Sequence, residues 1–139
     1  MPNEPQPRPP RRVVLLAEDE PTIAIPLSDE LEEHGFAVVH EADGDAALDR
    51  LRRRRFDALI TDLRLPGRSG LELLADARAR RLELPLLLIT AYADASSERA
   101  AVAQRAQVLR KPFDNVEVID WLRGSISPAF PADAPRPAI

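Results

Sequence analysis

Residues 59–66 of the chain read Leu-Ile-Thr-Asp-Leu-Arg-Leu-Pro, an apolar run that stops at one carboxylate, Asp62. The turn residues Pro66 and Gly67 follow it closely. Short apolar runs bounded by turn residues are typical of buried strands. An acid at the carboxyl end of such a strand lies where open α/β sheets place their ligands. An isolated aspartate there is more often a turn residue or a helix cap, so its function depends on the partners that the rest of the chain supplies.

Apolar runs alternate with helical patterns on both sides of this stretch. Strands are predicted at residues 13–17, 36–40, 58–61, 86–90 and 107–110. Four of the five intervening or following helices have apolar residues at helical spacing: Ile23, Leu27 and Leu31; Ala47, Leu48 and Leu51; Leu71, Leu74 and Ala75; Val116, Ile119 and Leu122. The remaining helix is alanine-rich and runs to about Gln104. Five strands alternating with five helices predict an α/β fold with a parallel sheet covered on both faces.

The ends of the helices carry recognisable signals. Pro26 should end or kink the first turn of the first helix, and Gly35 should close that helix. Asp43 and Gly44 are expected to open the second helix, and cap residues are expected before the later ones: Ser69 with Glu72 as a capping box, Ser96 or Ser97, and Asp114.

Length and composition restrict the classes of protein. A chain of 139 residues is expected to form one domain, and 45% hydrophobic with 30% charged residues is typical of a globular protein. A formal net charge of -4 gives no nucleic-acid footprint, and the absence of cysteine excludes disulfides and thiolate metal sites. Neither a membrane span nor a secretory signal is evident. We therefore expect a cytoplasmic protein whose partners are neither nucleic acid nor membrane.

The two ends of the chain differ from its centre. Residues 1–12 contain five of the 14 prolines and residues 127–139 contain four more. Both segments are predicted to be disordered tails, the first rich in proline and arginine, which places the folded domain at residues 13–126. That range leaves no room for a second domain, so any output is expected to lie in another protein.

Polar residues follow four of the predicted strands. Glu18 and Asp19 follow the first strand, Asp62 ends the third, Thr90 ends the fourth, and Lys111 follows the fifth. In the flavodoxin-like strand order 2-1-3-4-5 these residues converge at one edge of the doubly wound sheet. Three close carboxylates repel each other unless a cation such as Mg²⁺ offsets them. A carboxylate can also attack a phosphoryl group, with Mg²⁺ and a lysine neutralising the charge.

With these residues the sequence resembles the response-regulator receiver domains of two-component signalling. The match covers residues 13–124. It is carried by four segments: residues 17–21 (Ala-Glu-Asp-Glu-Pro), residues 61–66 with Gly70, residues 90–91 (Thr-Ala) and residues 111–113 (Lys-Pro-Phe). Asp19 and Asp62 are 43 residues apart, Thr90 follows 28 residues later and Lys111 another 21. Each segment alone is a weak pattern, whereas all four in this order are specific.

The resemblance implies a phosphoacceptor and a metal site. Asp62 would take a phosphoryl group from a histidine kinase or a histidine phosphotransfer protein. Asp19 and Asp62 would ligate Mg²⁺ directly, and Glu18 would act through water. The backbone carbonyl of Arg64 would be a further ligand.

The resemblance also implies which residues respond to the phosphoryl group. Thr90 would reorient toward it and Lys111 would pair with it, next to a cis peptide bond between Lys111 and Pro112. The domain would be a phosphoacceptor signalling domain and not an enzyme, although it would assist its own Mg²⁺-dependent phosphorylation and dephosphorylation. It would then switch its surface for a separate downstream protein, as a monomer or a weak homodimer.

Three residues depart from common receiver patterns. Many receivers carry an aromatic residue three positions before the lysine, where this chain has Val108. Arg64 and Tyr92 lie two positions after Asp62 and Thr90, at the expected mouth of the site. The hydroxyl–aromatic coupling and the rate of dephosphorylation are therefore expected to differ from those of other receivers.

Three alternatives remain. A haloacid-dehalogenase-like phosphatase would need a second acid two residues after the nucleophile, where this chain has Arg64. A flavodoxin-like cofactor binder would need a hydroxyl- and glycine-rich loop after the first strand, where residues 18–20 would repel a phosphate. A phosphate sink or kinase-modulating receiver has the same sequence features as a forward messenger.

Overall fold

The structure is a computed structural model, and it describes residues 11–92 and 94–126. Five strands alternate with five helices. The strands are β1 (Val13–Ala17), β2 (Ala37–Glu41), β3 (Ala58–Asp62), β4 (Leu86–Thr90) and β5 (Gln107–Arg110). The helices are α1 (Pro21–Glu33), α2 (Gly44–Arg53), α3 (Gly70–Arg80), α4 (Ala95–Ala103) and α5 (Asn115–Ser125).

The predicted tails lie outside the described residues, except for Arg11 and Arg12. Within the described ranges no helix is both long and apolar enough to cross a membrane.

All five strands are parallel and form one sheet in the order β2-β1-β3-β4-β5. This confirms the predicted flavodoxin-like α/β fold. The register pairs Ala17 with Thr61 and Thr90 with Arg110. The residues that follow β1 and β5 therefore reach the same edge of the sheet as the last residues of β3 and β4.

Apolar side chains fill both faces of the sheet. Every residue of β1, β3 and β4 is buried, as continuous apolar runs in a parallel sheet require. The buried residues of α1 and α5 pack on one face, and those of α2, α3 and α4 pack on the other. The site at the sheet edge is thus held by strands that are fixed from both sides.

The first helix differs from its prediction. It begins at Pro21, where proline lacks only an N–H that would have no partner in the helix, and it runs through Pro26 without ending there. Of the two expected effects of Pro26, an end of the helix is therefore wrong, and a kink stays a prediction. The predicted end is confirmed: Gly35 has a φ of 92°, and its N–H and that of Phe36 donate to Glu32 and Leu31, as in a Schellman motif.

The predicted start of α2 and the predicted cap of α3 are confirmed, but the predicted cap of α4 is not. Asp43 accepts hydrogen bonds from the N–H groups of residues 45 and 46, and Ser69 forms the expected capping box with Glu72. Helix α4 begins one residue before the predicted Ser96, because Asp94 caps it by accepting from the Ser97 N–H at 2.7 Å. Aspartate is as good an N-cap as serine, so the sequence alone did not favour Asp94 over the two serines that follow it.

The buried faces of α3 and α5 are rotated relative to the predicted ones. In α3 the buried residues are Leu73, Leu74 and Ala77, whereas Ala75 is exposed. In α5 the predicted inward residue Val116 is exposed, and the buried face consists of Val118, Ile119 and Leu122. Both helices have two overlapping apolar stripes, and the position of the sheet selects one of them.

Candidate functional site

Asp62 is the last residue of β3 and its side chain is almost completely buried, with 6% of the residue exposed. The backbone after it is fixed, since Leu63 donates to the Ile89 carbonyl at 3.2 Å and Gly70 donates to the Leu63 carbonyl at 2.8 Å. The carboxylate is therefore held at the carboxyl edge of the sheet.

Lys111, which follows β5, joins three carboxylates. Its Nζ lies 2.8 Å from Glu18 Oε1, 3.0 Å from Asp62 Oδ2 and 3.2 Å from Glu20 Oε1. Burial lowers the pKa of Lys111, but the Glu18 and Asp62 carboxylates outweigh this effect and raise the pKa above its ordinary value. The lysine is therefore a fixed positive charge beside Asp62. The peptide bond to Pro112 is cis, as expected.

Glu18 is a fully buried carboxylate directly after β1. Burial raises its pKa to about 7; the Lys111 ammonium opposes this shift and the Asp62 charge adds to it. Its Oε2 accepts a hydrogen bond from the Glu20 N–H at 3.2 Å. Its Oε1 lies 2.8 Å from Lys111 Nζ and has no second partner among the described residues. A buried carboxylate oxygen thus keeps a free acceptor position inside the site.

The oxygen donors in this site fit a hard divalent cation. Carboxylate oxygens of Glu18, Glu20 and Asp62 lie within 4.8 Å of one another. One lysine cannot balance three carboxylates, and oxygen ligands of this kind are those that Mg²⁺ prefers. The free acceptor position on Glu18 adds to the fit.

Only some of the predicted metal ligands lie together in the structure. It brings Glu18 and Asp62 together with Lys111, whereas Asp19 is exposed and does not belong to the carboxylate group found among the described residues. Glu20 belongs to that group, although it was not predicted as a metal ligand. The signal was present in the sequence as a third acid directly after the first strand, but spacing alone does not say which of three successive acids turns inward.

Thr90 ends β4 and is almost fully buried. Its Oγ1 accepts a hydrogen bond from the Tyr92 N–H at 2.9 Å, and its carbonyl accepts from the Lys111 N–H at 2.9 Å. The second bond ties Thr90 directly to the backbone of the lysine at the site. The Thr90 hydroxyl therefore lies on the sheet beside the carboxylate cluster, but its hydrogen bond is with the loop that follows β4.

Arg64, in the loop after β3, and Tyr92, in the loop after β4, contact each other. The guanidinium carbon of Arg64 lies 4.2 Å from the centre of the Tyr92 ring, which is the geometry of a cation–π contact. The pair joins the loop after β3 to the loop after β4. The sequence placed both residues near Asp62 but gave no indication that they touch, since that requires the distance between the two loops. The predicted role of the Arg64 carbonyl stays a prediction.

Comparisons with known proteins agree with this arrangement. The family model of the response regulator receiver domain matches residues 14–123. The probable transcriptional regulatory protein TcrX of Mycobacterium tuberculosis is 38% identical over 112 residues, which cover 79% of this chain and 47% of TcrX. The transcriptional regulatory protein PdtaR of the same species is 33% identical over 120 residues, which cover 85% of this chain and 58% of PdtaR. The chain thus spans about half the length of these two relatives.

A solved structure gives a further comparison. The receiver domain of the sensor histidine kinase PA1611 from Pseudomonas aeruginosa PAO1 superposes with a TM-score of 0.74 at 28% identity. The match covers 84% of this chain and 98% of that one. The structure of that domain has a magnesium ion coordinated in the active site cleft.

Proposed function

Because the chain belongs to the response regulator receiver domain family, we propose that Asp62 accepts a phosphoryl group from a phosphohistidine and that the domain signals through the change. The donor is a histidine kinase or a histidine phosphotransfer protein. The observation that carries this proposal is the buried Asp62 carboxylate, held 3.0 Å from the Lys111 ammonium and beside two further acids. A strand-end aspartate with only a structural role has no need of this cluster.

The proposed reaction is a phosphoryl transfer between two side chains. A carboxylate oxygen of Asp62 forms a bond to phosphorus as the bond from phosphorus to the donor's imidazole nitrogen breaks, and the imidazole leaves with the bonding electron pair. Lys111 supplies a positive charge next to the acceptor oxygen, where it offsets charge on the incoming group. The product is an aspartyl phosphate.

We also propose that the site holds Mg²⁺. Asp62, Asp19 and the Arg64 carbonyl would ligate the ion directly, with Glu18 acting through water. Bound Mg²⁺ supplies positive charge that offsets the phosphoryl oxygens. The magnesium ion in the PA1611 receiver and the free acceptor position on Glu18 support an Mg²⁺ ion at this site, whereas the ligand roles of Asp19 and Arg64 rest on the family resemblance.

Labelling in solution tests the proposed function. The chain is incubated with acetyl phosphate and Mg²⁺ and run on a phosphate-affinity gel, where we expect a shifted band. An acyl phosphate is cleaved by hydroxylamine, so hydroxylamine should remove the shift. A shift that survives hydroxylamine, or one that forms equally in excess chelator, would contradict an Mg²⁺-dependent aspartyl phosphate.

Mg²⁺ is expected to stabilise the fold, because it binds the native carboxylate cluster and not the unfolded chain. At a concentration 100 times its dissociation constant the gain is about 2.7 kcal/mol, which is roughly 10 °C in Tm for a domain of this size. Differential scanning calorimetry in MgCl₂ and in NaCl of equal ionic strength measures the difference. Equal Tm values in the two salts would contradict specific binding.

Two single variants decide which acid holds the ion. Asp19→Asn is expected to abolish the Mg²⁺-dependent rise in Tm, whereas Glu20→Gln is expected to retain it. Glu20 contacts Lys111 at 3.2 Å with a side chain that is 55% exposed, and its neutral form leaves the other acids in place. The opposite pattern would transfer the proposed role from Asp19 to Glu20.

The proposed output is a surface change that a separate protein reads. Phosphorylation adds charge and acceptor oxygens beside the loops after β3 and β4, and it shifts their arrangement by the contacts it makes in each state. Pull-downs with beryllofluoride-treated and untreated protein test this proposal. We expect partners that differ between the two samples, and identical partners would contradict a switch.

Val108 favours a second candidate for the output. This residue is half-buried and packs against the core on the side of α2, α3 and α4, so no aromatic ring is available there to follow Thr90. A receiver that accepts phosphoryl groups with a smaller surface change suits a phosphate sink or a kinase-modulating role. Such a protein would still be labelled by acetyl phosphate while giving identical pull-downs.

A further inference from the structure

We propose that a cavity at the amino edge of the sheet binds a small molecule that carries a phosphate group. The cavity has a volume of about 290 Å³ and lies between the C-terminal ends of α2 and α3. Phe56 and Leu84, which line it, precede β3 and β4, so it is at the edge opposite to Asp62. The inference does not depend on the proposed phosphoryl transfer.

The rim of the cavity is strongly cationic. Six arginines line it: Arg52, Arg53, Arg54, Arg55, Arg80 and Arg81. None of the described residues that line it is acidic. Two nearby carboxylates, Asp49 and Asp76, form ion pairs of 2.9 to 3.6 Å with three of these arginines. Arg55 and Arg81 make no ion pair with the described residues. An anionic ligand would therefore meet guanidinium groups that are not already neutralised.

Stabilisation of helix ends accounts for only part of this rim. Basic residues in the last turn of a helix interact favourably with its dipole, which explains Arg52, Arg53 and Arg80. Arg55 lies two residues beyond the end of α2, and Arg81 follows the end of α3. The Arg81 guanidinium donates to the Phe56 carbonyl, which ties the end of α3 to the residues before β3. Two separate segments thus add cations to the same cavity.

The floor of the cavity is apolar. It consists of the buried residues Leu51, Phe56, Ala77 and Leu84. A cationic rim over an apolar floor matches a compound with a ring or carbon body and an anionic group. Guanidinium groups bind phosphate oxygens through paired hydrogen bonds. The volume is near the lower end of the roughly 300–1,000 Å³ of small-molecule sites, which favours a phosphorylated compound over a protein segment.

Titration calorimetry tests the proposal with four probes: inorganic phosphate, pyrophosphate, AMP and glucose 6-phosphate. Adenosine and glucose are the uncharged controls. The buffer contains EDTA, because without a divalent cation the carboxylates around Asp62 repel phosphate. We expect at least one phosphorylated organic probe to bind more tightly than inorganic phosphate, and the uncharged controls to show no binding. Failure of all four probes to bind would overturn the proposal.

A pair of double variants separates the cavity from net charge. Arg53→Ala/Arg55→Ala removes two rim cations, and Arg99→Ala/Arg123→Ala removes two exposed arginines of α4 and α5. The Arg53 side chain is 76% exposed and pairs with the exposed Asp49, so its loss should barely change stability. We expect the rim variant to bind at least about tenfold more weakly, and the control variant to bind as the wild type does.

Three further outcomes would overturn the proposal. Equal weakening in both double variants would show that net charge and not the cavity sets the affinity. Tighter binding of hexaglutamate than of any phosphate probe, lost in the rim variant, would assign the surface to an acidic protein partner. Amide chemical shift changes at Phe56 and Leu84 on addition of the bound probe would support the cavity, whereas changes confined to the surroundings of Asp62 would contradict it.

Discussion

The Asp62→Asn variant is expected to take up no phosphoryl group from acetyl phosphate or from a phosphorylated histidine kinase. Asparagine keeps the size of the side chain, but its amide is uncharged and is a poor nucleophile toward phosphorus. It also leaves Lys111 with only Glu18 and Glu20 as partners, so the acceptor oxygen and its counter-charge are lost together. The variant is incubated with Mg²⁺ and the phosphodonor, and its intact mass then shows whether one phosphoryl group has been added.

The matched control is Asp49→Asn, an equally conservative change at an exposed carboxylate of α2. This variant should be labelled as the wild type is. Circular dichroism of both variants shows whether each remains folded. Full labelling of a folded Asp62→Asn protein would remove Asp62 as the acceptor, and loss of labelling in Asp49→Asn would point to a general effect of charge.

Gly70→Ala is expected to destabilise the fold and to disturb the acceptor at the same time. A Cβ at this first residue of α3 would lie 2.0 Å from the backbone carbonyl oxygen of Asp62 and 3.1 Å from the Cα of Leu63. Backbone atoms cannot rotate aside as a side chain can, so α3 or the end of β3 must move. Overpacking of this kind typically costs about 1–3 kcal/mol, or more where the surroundings are rigid. Thermal unfolding should show a Tm lower by several degrees.

Gly124→Ala is the control for the glycine substitution. Gly124 is the penultimate residue of α5, and among the described residues no heavy atom beyond its chain neighbours and its own helix backbone lies within 4 Å of the position of its added Cβ. Alanine should therefore stabilise the helix by about 0.5–1 kcal/mol. The two variants make the same chemical change with opposite expected signs. An unchanged Tm and normal labelling in Gly70→Ala would show that the close approach of α3 to Asp62 is unimportant.

Local sequence patterns were sufficient for most of the elements. Continuous apolar runs predicted the strands because a parallel sheet is buried on both faces, and glycine and cap residues predicted several helix ends correctly. The errors lie where the local sequence is compatible with two alternative conformations of similar energy. Pro26 was expected to end or kink the first turn of α1, yet the helix continues through it, with the buried residues Ala24, Leu27 and Leu31 packed against the sheet.

The candidate site, too, was predicted only in part from the sequence. Asp62 and Lys111 were identified from strand ends, because parallel topology brings every carboxyl end to one edge whatever the details of packing. The choice among Glu18, Asp19 and Glu20 could not be made in this way. Successive residues after a strand point in different directions, and only the position of Lys111 shows which of the acids it contacts.

The sequence by itself determined the order of elements, the parallel sheet and the set of polar residues at its carboxyl edge, because these follow from hydrophobic periodicity and chain connectivity. Only the tertiary structure decided which side chains touch. It placed Lys111 among Glu18, Glu20 and Asp62, stacked Arg64 on Tyr92, and set α3 so close to β3 that residue 70 has no space for a side chain. These contacts join residues far apart in the chain, so they depend on how the elements pack and not on local preference.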